Sequence, residues 1–159
     1  MTQAKTSVSQ GVLPAGDKEP VGVVLNRSKP AILENWLTRA NAIPELGRVK
    51  LSDNERNGHL PEILDEIIAR LAKNLPAFQE ENAVTSSAAA KHGRKRRLQG
   101  YTASMIVHES RILEVTLFET LQKNKSSLDF SVVLTDVMRI ADEVDSQLGQ
   151  SMVSFTEAV

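Results

Sequence analysis

The sequence contains no cysteine, which excludes a disulfide frame, a thiolate metal site and a thiol nucleophile. Aromatic residues are scarce, with one Trp, one Tyr and four Phe. The core must therefore be built from Leu, Ile, Val, Ala and Met, as in many helical bundles. A net charge of −1 gives bulk electrostatics no hold on nucleic acid, and no such partner is expected. The N-terminal stretch lacks the apolar run of a signal peptide, and no segment is long enough to span a bilayer. No membrane association and a cytoplasmic location are the expectations. What is present, 41% apolar residues over 159 positions, suits one domain around a single core.

Residues 1–20 are polar and interrupted by Gly11, Pro14, Gly16 and Pro20, the pattern of a tail or linker. Val21 to Leu25 is a short apolar run that fits either an extended arm or the lead into a helix. Residues 1–27 are thus expected to stand ahead of the domain. Ser28 offers an N-cap with Pro30 in the first turn, and Ile32, Leu33, Trp36, Leu37 and Ala40 follow at helical spacing until Pro44. Trp36 reads as a core anchor rather than a ligand-stacking residue. Ser52 to Glu55 fits a capping box, closed by Gly58.

Leu60, Ile63, Leu64, Ile67, Ile68, Leu71 and Leu75 then form an unbroken stripe that Pro76 ends. On the opposite face Glu62, Asp65, Glu66 and Arg70 need only be solvated. Glu80 to Ser87 is a polar connection. Ala88 to Leu98 is rich in helix formers, with Gly100 placed as C-cap. Thr102 can cap the next helix, which runs to about Lys123. From about Asp129, apolar residues from Val133 through Ile140, Val144, Leu148 and Phe155 to Val159 keep helical spacing to the end. Such a helix is about 30 residues or roughly 45 Å long, so its end is expected to project, with Gly149 as a point of weakness. The fold expectation is all-α: a bundle of about five helices with a long C-terminal helix. Its domain occupies 28–145, and 146–159 is the end of an output helix.

Glu109 is the residue that stands out. Its helical neighbours Met105, Ile106, Ile112 and Leu113 are all apolar, which turns it toward the core. A buried carboxylate needs a partner. On the preceding helix His92, Arg96 and Gln99 share one face and are expected to meet it. The outcome is either a buried salt bridge that fixes helix register or a binding site.

The basic residues Lys91, Arg94, Lys95, Arg96 and Arg97 are spread around their helix and read as a solvated face with Arg96 turned inward. An Asp-Ser-His triad cannot be assembled from sequence alone, no histidine pair has convincing metal-binding spacing, and His59 reads as incidental in a turn. His108-Glu109-Ser110-Arg111 resembles the H-E-x-R core of a histidine-kinase phosphoacceptor box, although Ile112 and Leu113 replace the usual Thr-Pro. That resemblance would make His108 a phosphoacceptor.

A broader pattern covers roughly residues 30–155. His92-x3-Arg96-x2-Gln99-Gly100-Tyr101, followed by a capped helix with Glu109-x-Arg111-x-Leu113, resembles the N-terminal sensor-type domain of the RsbRD co-antagonist family. Trp36 and the Leu60-Pro61 helix start fit the same pattern. Similar domains stand ahead of bacterial histidine kinases and some transcriptional regulators. The resemblance implies a non-catalytic, all-helical input domain that senses a signal and relays it to a downstream kinase or regulator domain. His92, Arg96, Gln99, Tyr101, Glu109 and Arg111 would form its switch or ligand site, for an unidentified small molecule. No metal or cofactor is carried over; a haem, were one present, would have to use His92 or His108. The last helix would pair with its copy in a parallel homodimer.

Overall fold

The computed structural model describes residues 18–78 and 86–158. The expected tail up to residue 17 and the part of the polar connection from Glu80 to Thr85 lie outside the described residues. Among the described residues seven α-helices follow in order: α1 Val21–Arg27, α2 Lys29–Ala42, α3 Asp53–Asn57, α4 Leu60–Ala72, α5 Ser87–Leu98, α6 Ala103–Lys123 and α7 Val133–Glu157. Short 3-10 turns stand at Leu46–Arg48 and Lys125–Ser127. Among the described residues there is no strand, only an isolated bridge between Glu19 and Leu128. The fold is an all-α bundle. Helices α2, α4, α5, α6 and α7 form its body, and the last is the longest at 25 residues.

Local chemistry sets most of the helix ends. Ser52 closes a capping box with Glu55: its Oγ accepts from the Glu55 N–H at 3.2 Å and its own N–H donates to Glu55 Oε2 at 2.8 Å. The Thr102 hydroxyl accepts from the Met105 N–H at 3.3 Å, and Ser86 Oγ from the Ala89 N–H at 2.9 Å. Ser28 stands at the head of α2 but makes no side-chain cap. Helix α1 runs directly into α2 there, and the Ser28 carbonyl already accepts the Ile32 N–H at 2.9 Å. Helix α4 stops at Ala72, short of Leu75, where Asn74 turns the backbone to a φ of 54°. The buried Arg139 of α7 donates there to the Leu71 carbonyl and, at 3.1 Å, to the Leu75 carbonyl. The Leu71 carbonyl also accepts the Asn74 N–H at 3.2 Å, so the guanidinium adds a cation to the C-terminal end of α4.

Three expectations change. Val21–Leu25 takes the helical of its two readings, and Val21, Val24 and Leu25 are buried in the core, so the domain begins before residue 28. Their spacing of three and four places all three on one face. The polar face of α4 is more than solvated. Arg70 Nε donates to Glu143 at 2.7 and 2.8 Å, Asp65 pairs with Lys29, and Glu66 accepts from Ser86 and Gln147. The end of α7 does not project, and nothing separates residues 146–157 from the bundle. Helix α7 continues through Gly149, with Gln147, Ser151, Ser154 and Phe155 buried. Gly93 is the reason. A Cβ there would sit 2.0 Å from the Ser151 carbonyl oxygen, so its absence lets α5 and α7 meet backbone to backbone.

The core runs from α1 to α7 without a break. Trp36, Leu64, Ile67, Leu117, Ile140 and Val144 lie at its centre.

Candidate functional site

Helices α5 and α6 are joined by a tight turn in which Gly100 adopts a φ of 87°, a conformation that favours glycine. The turn folds α5 back on α6, so that His92 and Arg96 face Glu109. All three are buried, Arg96 to 1% exposure and Glu109 to 4%. Arg96 Nε lies 2.8 Å from Glu109 Oε1, and its Nη2 donates to Glu109 Oε2 at 3.1 Å. His92 Nε2 is 3.5 Å from Glu109 Oε2.

Arg96 does more than neutralise the carboxylate. Its Nη1 donates to the Glu55 carbonyl at 3.0 Å and to Gln99 Oε1 at 2.8 Å, and its Nη2 also donates to the Arg56 carbonyl. The guanidinium therefore ties α5 to α6 and closes the C-terminal end of α3, where free carbonyls favour a cation. Its carbon lies 4.7 Å from the centre of the Tyr101 ring. The Tyr101 hydroxyl accepts from Arg56 Nη1 at 2.9 Å, and Arg56 Nη2 reaches the Val49 carbonyl at 2.7 Å.

The electrostatics follow from this arrangement. Burial alone pushes the Glu109 carboxyl up, but the hydrogen bond and charge of His92 and those of Arg96 outweigh it. Glu109 is held below the usual carboxylate range, so it is ionised at neutral pH. Burial, reinforced by the Glu109 charge, pushes the Tyr101 phenol up to about 12. His59 lies below the ordinary histidine range, first through burial and then through the neighbouring His92. Its ring meets that of His92 edge-on, with centroids 6.4 Å apart.

Beside this cluster is a small cavity of about 40 Å³. Its inner wall carries Trp36, Ile63, His92 and Glu109, and the opposite wall belongs to α7 through Val144, Gln147 and Ser151. Half-buried Ser110 and Leu148 stand at its mouth. Trp36 is the expected core anchor, and its indole N–H also donates to the Glu109 backbone carbonyl at 3.1 Å.

Of the residues expected at the site, His92, Arg96, Gln99, Tyr101 and Glu109 lie together. Arg111 does not: it is exposed on the outer surface of α6. Two residues past Glu109 is about 200° around the helix, which turns it away. His108 is half-buried with its Nε2 2.9 Å from Glu45 Oε2. Glu109 points inward, so the acid that follows His108 does not stand beside it as a proton acceptor. The basic residues Lys91, Arg94, Lys95 and Arg97 are exposed while Arg96 is buried. Arg97 lies over the Phe155 ring at 5.0 Å.

Arg56, His59, Gln147 and Ser151 are additions that the sequence pattern does not announce. Gln147 and Ser151 are spaced four apart on the buried face of α7, and a polar pair interrupting an apolar stripe is the signal available for them.

Among the described residues, no group of three or more His, Asp or Glu side chains is arranged to hold a metal ion. No helix among them is long and apolar enough to cross a membrane. The fold and site together define a helical bundle with a buried Arg–Glu–His cluster facing a cavity closed by the C-terminal helix. Comparison with protein-family models, with curated proteins and with solved structures returned no match.

Proposed function

We propose that this chain is a non-catalytic sensory domain of a bacterial signalling protein, of the RsbRD N-terminal type. In this reading it works in the cytoplasm, ahead of a histidine kinase or related regulator. A change at the His92–Arg96–Glu109 cluster is passed to a downstream domain through α7. The observation that carries the proposal is the shared cavity: His92 and Glu109 of the buried cluster line it together with Val144, Gln147 and Ser151 of α7. A charge pair whose only task is helix register has no need of a solvent-sized space against the longest helix.

The proposed homodimer pairs through α7, but not through its C-terminal turns, which lie buried on α5. The exposed apolar residues Phe130, Leu134 and Met138 recur every four positions at and before the start of α7, and are the seam that remains. Sedimentation of the wild type and of a Leu134→Glu, Met138→Glu variant tests this. A dimer that becomes a monomer is expected; a wild type monomeric at all concentrations removes the seam.

The relay is tested by hydrogen exchange on the Glu109→Gln variant. Altered protection in α7 around Gln147, with helicity retained, is the expected result. Changes confined to α5 and α6 would reduce the cluster to a structural brace.

A further inference from the structure

We propose that the cavity between α5, α6 and α7 binds a small neutral molecule bearing a primary amide group, held jointly by Glu109 and Gln147. This rests on the sensory reading above and gives the signal a chemical class. Four observations lead to it.

The first is an unpaired acceptor. Gln147 is 5% exposed, and its side-chain oxygen has no hydrogen-bond partner among the described residues. Its orientation is fixed, because the Gln147 Nε2 donates to Glu66 Oε2 at 3.2 Å. Glu109 Oε1 is also without a directed hydrogen bond: Arg96 Nε is 2.8 Å away, but its N–H is aimed at the other carboxylate oxygen. Both residues line the same cavity. Buried polar groups of this kind are ordinarily satisfied, and two acceptors call for a ligand that donates.

The second is size. A water molecule needs roughly 10–15 Å³ of such volume, so a cavity of about 40 Å³ takes three or four heavy atoms. The third is charge. Glu109 is already paired with Arg96, so a cation brought into the pocket would be buried without its own counter-ion. The ligand is therefore neutral. The fourth is shape. Trp36, Ile63, Leu113 and Val144 give the cavity an apolar side that accepts a methyl group. An amide NH₂ supplies two donors, and the Ser110 hydroxyl at the mouth can donate to its carbonyl. Such a ligand would bridge α6 and α7 directly, through one group on each.

The test uses acetamide and acetone, two molecules of the same shape of which only the first donates. Both are titrated into the ¹⁵N-labelled full chain by NMR. Acetamide is expected to give saturable shifts at the Trp36 indole and the Gln147 side-chain amide. Acetone should bind about tenfold more weakly or worse, the value of one lost hydrogen bond. Gln147→Met, of the same length, should abolish the saturable shifts while keeping the melting transition. Should that variant fail to fold, Val144→Leu, which fills the space, should block acetamide equally.

Equal responses to the two probes overturn the proposal, as do unsaturable acetamide shifts or binding indifferent to either variant. So does ordered water that acetamide fails to displace. The two readings fail separately. Saturable acetamide binding without altered exchange in α7 keeps the pocket and removes the relay. Altered exchange in Glu109→Gln with no acetamide binding keeps the relay and removes this ligand class.

Discussion

Glu109 gains its ionised state from two neighbours on α5, and its removal leaves Arg96 buried with no carboxylate to face. Glu109→Leu should therefore destabilise the protein by about 3–5 kcal/mol, the usual cost of breaking a buried pair from one side, as read by urea unfolding. The pH dependence has a definite sign. The folded carboxyl titrates below its unfolded value of 4.5, so its stabilisation is present above that pH and is lost as pH falls toward the folded value. Melting temperatures between pH 7 and pH 3 should fall more steeply for the wild type than for Glu109→Gln. The single tyrosine offers a second check. Ultraviolet titration should place its midpoint near 12 rather than 10, returning to 10 in denaturant. At this scale Glu109 was legible because four apolar neighbours surround it on its own helix. Arg56 and His59 were not, because they reach the cluster from a segment distant in sequence, and spacing within one helix carries no trace of such contacts. Arg111 shows the opposite failure: a motif of adjacent letters grouped it with Glu109, and helical geometry separates them.

The helices themselves were read most successfully where their signals are local. Caps at Ser52 and Thr102 act within three residues and were legible, while the Ser86 cap was hidden in a polar connection; Ser52→Ala should cost about 1 kcal/mol in thermal or chemical unfolding. The approach of α5 to α7 is a different kind of fact, since it belongs to a pair of elements. Glycine inside a helix is disfavoured by about 1 kcal/mol against alanine, so propensity alone predicts that Gly93→Ala stabilises the chain. The structure predicts the reverse. The new methyl would overlap the Ser151 carbonyl, a backbone atom that cannot turn aside, and a loss of about 1–3 kcal/mol is expected from the forced separation. Equilibrium unfolding decides between the two signs. The same pairing explains why the buried face of α7 carries Ser151 and Ser154, while Leu148 and Met152 are only half-buried: a close crossing selects small residues. The apolar stripe read from the sequence marks Ile140, Val144 and Phe155 correctly as buried and misses the small polar residues between them.

For the molecule as a whole, the all-α class followed from composition and periodicity, whereas the start of the domain at residue 28 and the projecting end of the last helix did not. Both ends of the described chain are part of one core. Glu19 donates its N–H to the Ser127 carbonyl at 2.8 Å, and Arg27 reaches Glu19 and Asn124, which fastens both ends of α1 to the turn between α6 and α7. Removing all residues after Asp145 takes away Gln147, Ser151 and Phe155 together. Loss of the cooperative melting transition is the expected outcome, not a well-folded monomer. A truncated protein melting like the parent would show that the α5–α7 contact contributes little.

Because the protein has one tryptophan, and its indole donates to the backbone of Glu109, the site carries an optical reporter of its own. Emission from Trp36 reports the polarity and quenching within the cavity wall, with no second fluorophore of its kind to obscure it. Ligand entry, loss of the ion pair and movement of α7 against α6 all alter the surroundings of that one ring. Each can be followed by steady-state or stopped-flow fluorescence on unlabelled protein, in real time.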